Sequence, residues 1–175
     1  MNKFLDNILQ IPAETLHVEF KRIGDVKVIE KIIRTLTAFA NTDGGTLILG
    51  IDDPEKTKLK GLDRIYGIEE NLEAFDSIGH EVSKIVPPLV GIWPPQKIEV
   101  PGKGKTVALI FVPKAEQSFH SIHNQVFVRL EKGNKRLTPQ EIIKLSYAKG
   151  FEKADRELVD VDFELLNTEV YKTWS

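Results

Sequence analysis

The chain contains no cysteine. Disulfides, thiolate metal sites and cysteine nucleophiles are therefore excluded, and the absence agrees with a reducing, cytoplasmic setting. Long apolar runs are missing too. The opening MNKFLDNILQIP is interrupted by Asp6, Asn7 and Gln10 and has no small-residue cleavage site, so it reads as a short amphipathic helix over 3–10, stopped by Pro12. No stretch approaches the roughly 20 apolar residues of a membrane span, so no membrane contact is expected. Nor does one sign of charge dominate. The 24 Lys and Arg against 26 Asp and Glu give a formal net charge of -2, so any surface for a polyanion must come from local clustering. The phosphate-cradling P-loop, the GxSxG elbow and the GxGxxG fingerprint are absent, as are internal repeats.

What is present is the composition of a folded globule. Hydrophobic residues make up 41% and charged residues 29% of 175 positions, enough for one domain with a sizeable core. HVEFK (17–21) alternates and predicts a half-buried strand. Val28, Ile29, Ile32, Ile33, Leu36, Phe39 and Ala40 form the apolar stripe of a helix over 26–40, with Lys27, Lys31 and Arg34 on its other side. NTDGG (41–45) breaks that helix, and 46–51 is apolar enough for a central strand covered on both faces. A polar hairpin or loop is expected over 56–67 and a helix over 69–86. A hairpin of strands 97–100 and 106–112 turns on Pro101-Gly102-Lys103-Gly104. A strand over 126–130 follows, then a helix opened by the capping sequence Thr138-Pro139-Gln140-Glu141 and running to about 149. The fold class expected is α+β, with a mixed β-sheet and packed helices, over a domain spanning 1–150. Residues 151–175 read as an acidic C-terminal extension, with a last helix over 161–171, leading toward a further domain.

Two kinds of candidate residue stand out. Glu14, Glu19 and Asp53 lie at the ends of predicted strands, where side chains leave the packed face. Carboxylates gathered there repel one another, and a hard divalent cation, Mg²⁺ or Mn²⁺, relieves that and activates water. An offset of five puts Glu14 and Glu19 on opposite faces of one strand, so Glu14 must reach a shared site from the turn after Pro12. The basic residues fall in two groups, Lys21, Arg22, Lys27, Lys31 and Arg34, then Arg129, Lys132, Lys135 and Arg136. Each suits a phosphate backbone, and each is equally the wet face of its element. Asn41, Gly44 and Gly45 tolerate positive φ and admit a close phosphate or another backbone. The HxxH spacing of His120 and His123 points to surface or packing roles rather than metal, and Trp93 to a core filler.

Three segments carry a resemblance: Glu14 with HVEFKR (17–22), AFANTDGGTLILGIDD (38–53) and VFVRLEKGNKRLTPQEI (126–142). In this order the chain resembles the Schlafen AlbA-type domain family over about residues 10–150. The resemblance implies an α+β fold with a mixed sheet and nucleic-acid binding, as DNA or RNA. In bacteria and archaea such domains often precede a winged-helix or ATPase-like domain. In vertebrate Schlafen proteins the equivalent domain can cleave transfer RNA with three acidic residues, which match Glu14, Glu19 and Asp53 here. Those enzymes use two fused copies and a Cys/His zinc site. This chain has one copy and no cysteine, so a homodimer would have to replace the second copy. Asn134-Lys135 stands where the family usually has a small Ser or Thr. Three readings follow: a nucleic-acid-binding module, such as one within a transcriptional regulator; a metal-dependent endoribonuclease; and a protein-interaction or oligomerisation domain.

Overall fold

The computed structural model describes residues 3–158, with side chains described to residue 150. The element order is α1 (Lys3–Gln10), β1 (Val18–Lys21), α2 (Val28–Asn41), β2 (Gly45–Leu49), α3 (Leu72–Val82), β3 (Gln96–Val100), β4 (Lys105–Val112), β5 (Phe127–Arg129), β6 (Asn134–Arg136) and α4 (Pro139–Leu158). Four strands form one sheet in the order β1-β2-β4-β3, and β5 and β6 form a separate two-stranded ribbon. β1 pairs with β2 in parallel, Val18 opposite Thr46, while β4 runs antiparallel to both β2 and β3. The sheet is therefore mixed, and the α+β expectation holds.

Both faces of β2 are covered, as its apolar run requires. Leu47 and Leu49 join Ile32, Leu36 and Phe39 of α2 and Ile78 of α3 in one core. Ile48, one residue out of phase, joins Phe20, Leu5, Ile51, Ile65 and Leu109 in a second core on the other face, under α1. The strand period of two distributes a continuous hydrophobic sequence between two layers.

Elsewhere the structure adjusts the expected boundaries. The helix expected over 69–86 is a 3₁₀ turn, Ile68–Asn71, followed by α3 and ending at Val82. The Asn71 side chain explains the join, because it accepts from the Ala74 amide and caps α3 there. Of the two alternatives expected over 56–67, the structure has the loop and not the hairpin. The loop carries a 3₁₀ turn, Gly61–Arg64, and returns to the sheet through an Ile51–Ile65 bridge. The β3–β4 hairpin is as expected. β6 is an addition: Asn134–Arg136 is polar throughout and lacks the alternation that marks a strand, yet it pairs with β5. α4 opens at Pro139 with Thr138 and Glu141 exchanging hydrogen bonds, the expected capping box. It continues to Leu158, past the boundary at 150. The helix expected over 161–171 lies outside the described residues.

Candidate nucleic-acid interface

The site begins with β1. Glu19 lies on the strand face turned toward α2 and the β5–β6 ribbon, and only 4% of it is exposed. Lys21 follows two residues later on the same face, its ammonium 2.5 Å from the Glu19 carboxylate. Glu14 sits before the strand and reaches back, accepting from the Phe20 amide at 3.1 Å. This is the approach that the offset of five demanded. Asp53 follows Gly50–Ile51 at the end of β2, buried to 7% exposure. All three carboxylates line one cleft of ≈ 460 Å³, shared with Lys21, Lys56 and Lys132.

Within the cleft, charges alternate. Arg129 donates to Glu19, Lys21 bridges Glu19 and Glu14 at 2.5 and 3.6 Å, and Lys56 bridges Glu14 and Asp53 at 3.6 and 2.7 Å. Burial pushes the Asp53 carboxyl up, but the Lys56 ammonium and the Glu55 amide outweigh it and hold it below its ordinary range. The bond to Asp53 holds the Lys56 ammonium above its own. Lys56 was not singled out in the sequence, although its position three residues after Asp53 is a spacing at which a turn brings opposite charges together. The expected metal ligands are thus gathered, but ammonium groups occupy the space between them. Among the described residues, no three acidic or histidine side chains are arranged to hold a metal ion.

A second cavity of ≈ 210 Å³ adjoins the first and shares Glu19 and Lys21 with it. Lys31 and Arg34 of α2 and Asn134 of β6 line its other walls. The groove so formed brings together cations from both basic groups: Lys21, Lys31 and Arg34 from the first, Lys132 from the second. Lys135 and Arg136 are exposed on the ribbon, Lys135 paired with Glu141 at 2.5 Å.

The remaining candidates, Lys27 apart, are engaged in holding the fold. Arg129 has a wholly buried side chain and bonds Glu19, the Thr15 carbonyl and Asn134. Asn41 is buried and staples α2 to the later chain, bonding the His120 amide and the carbonyls of His120 and Phe127. Gly44, at φ +75°, lies against the Val112 carbonyl, and Gly45 against the Phe39 ring, where a Cβ would meet ring carbon at 2.6 Å. Arg22 turns away from the groove, bound by Glu70 and stacked 3.5 Å from the Tyr66 ring centroid. Lys27 is exposed at the start of α2. His120 is buried on the Pro87 carbonyl, and Trp93 packs on Phe75, 5.3 Å between centroids, so both fill the packing roles expected of them.

The sequence model of the family described as Schlafen, AlbA_2 matches residues 14–138. The chain belongs to this family. The match runs from the first carboxylate of the cleft to the capping threonine of α4, so the Schlafen AlbA_2 unit contains the whole groove. Among solved structures, the DIP2311 protein from Corynebacterium diphtheriae is similar at 17% identity and a TM-score of 0.51, over 84% of this chain. The chain spans only 33% of that protein's length. The N-terminal domain of an ATP-dependent DNA helicase RecG-related protein from Nitrosomonas europaea is similar at 20% identity and a TM-score of 0.46, over 78% of this chain and 92% of that one. No described helix is long and apolar enough to cross a membrane.

Proposed function

We propose that this Schlafen AlbA_2 domain binds nucleic acid along the groove between α2, the end of β1 and the β5–β6 ribbon. One observation carries the reading. Cations separated by about 100 positions in the chain, Lys31 and Arg34 on one side and Lys132 on the other, line two cavities that meet at Glu19 and Lys21. A separate cavity of ≈ 400 Å³ between α2 and α3 is a poorer place for phosphate. It is walled by Ile29, Ile33, Ile122 and Phe127 and sets Glu30 and Glu81 against Arg34. Family membership supports the reading. A role within a transcriptional regulator would use this binding surface.

The test is a filter-binding titration against salt. If about five phosphates are neutralised on a single strand, log K falls with log salt at a slope near -3.5, and fourfold more salt weakens binding about a hundredfold. Binding that ignores salt rejects the reading.

Metal-dependent RNA cleavage is a second reading, favoured by the convergence of Glu14, Glu19 and Asp53 on one cleft. It requires Lys56 to leave the carboxylates. Incubation of transfer RNA with Mn²⁺, comparing wild type with Glu19→Ala, tests it; no cleavage by either protein counts against it.

A further inference from the structure

The groove is stratified by exposure. Its most exposed cations stand at the rim, Lys132 at 85% and Lys56 at 69%, while Lys21, at 17%, lies below them between Glu14 and Glu19. Its carboxylates form the floor, with side-chain exposure of 15% for Glu14 and 6% for Glu19 and Asp53. Phosphates suit the rim. On the floor Glu19 is already held by Lys21 and Arg129, which leaves Glu14 and Asp53, the partners of exposed Lys56, as the acceptors within reach of a ligand. A carboxylate oxygen receives a hydrogen bond and does not donate one, so a group that enters beneath the rim to meet this pair presents donors. In a nucleic acid that is a base edge carrying an exocyclic amine, and a base can enter a cleft only when it is not held in a duplex.

We propose that the groove takes a single strand with its backbone on Lys31, Arg34 and Lys132 and a base turned inward, its amine donated to Glu14 and Asp53. This rests on the binding reading above and specifies its ligand. Lys56 is placed to permit the exchange. It is the most exposed member of the alternating series, so a phosphate at the rim can draw its ammonium from Glu14 and Asp53 and leave their oxygens to the base. Cytosine offers its N4 amine, adenine its N6 amine and guanine its N2 amine. Thymine and uracil offer no amine and flank their one ring N–H with two carbonyl oxygens, which the carboxylates repel.

The experiment compares short dC and dT homopolymers of equal length by fluorescence anisotropy, on wild type, Glu14→Gln and Asp53→Asn. Glu14→Gln alters a partly exposed side chain and guards against a folding defect in Asp53→Asn. The expected result is dC bound at least about fivefold more tightly than dT, the ratio falling toward one in Glu14→Gln, and a dC strand annealed to its complement bound more weakly than the free strand. Equal affinity for dC and dT, a ratio unchanged by both substitutions, or preference for the duplex overturns the proposal while leaving salt-dependent binding intact. No binding of any oligonucleotide at low salt overturns the binding reading and this proposal together.

Discussion

Arg129 and Glu19 meet in the interior although 110 positions separate them in the chain. The Arg129 side chain is fully buried and that of Glu19 nearly so. The pair ties the β5–β6 ribbon to β1, and Thr35 and Asn134 extend it, Asn134 donating to Thr35 at 2.8 Å and Thr35 to Glu19 at 3.2 Å. The ribbon's position beside α2, and with it the width of the groove, depends on this network.

Removing one partner leaves the other charge buried. Arg129→Ala is expected to lower stability by about 3–5 kcal/mol, read from the midpoint shift in urea denaturation. Adding Glu19→Ala to it should cost less than the sum of the two single changes, because the second substitution removes the charge that the first one stranded.

Gly45 abuts the Phe39 ring and Gly44 needs φ +75°. Gly45→Ala is expected to cost about 1–3 kcal/mol through overpacking. Gly44→Ala combines an unfavourable φ with a Cβ 2.7 Å from the Val112 carbonyl and should also destabilise. Thermal melts of the two variants check both.

Glu141 is held down to about 2 by the Lys135 ammonium and the Thr138 amide, against an ordinary 4.5. Its folded value is depressed, so its contribution to stability is complete above about 4.5 and is lost as pH falls toward about 2. A carbon NMR titration of the Glu141 carboxyl should show that midpoint, and Lys135→Met should move it upward. A wild-type midpoint near 4.5 contradicts the capping geometry.

Lys31→Gln, Arg34→Gln and Lys132→Gln together remove three candidate phosphate contacts. On a single strand the salt slope should become shallower by about 2. Arg22→Gln, on a side chain already held by Glu70 and Tyr66, should leave the slope unchanged in the same titration.

The core was legible because periodicity reports it directly. The run of 46–51 and the stripe from Val28 to Ala40 fixed a covered strand and an amphipathic helix, and both form with shifts of a few residues. β6 was not legible, since Asn134-Lys135-Arg136 has no apolar member and pairs only because β5 lies beside it. At the site, sequence spacing identified the carboxylates that share a cleft, including the reach of Glu14 from its turn. It could not separate cations that face a groove from those that hold the fold. Arg129 and Lys132 are neighbours in one charged run, yet the first is buried and the second is 85% exposed. That distinction depends on partners far away in sequence.

The central claim is that Lys31, Arg34 and Lys132 form one surface that a single strand occupies. Amide chemical-shift mapping during titration with a short oligonucleotide addresses it most directly. The account predicts one contiguous patch of shifts over 31–35, 53–56 and 130–136, with Arg22 and the Glu70 region unmoved. Shifts centred on another face, or none at low salt, would contradict it.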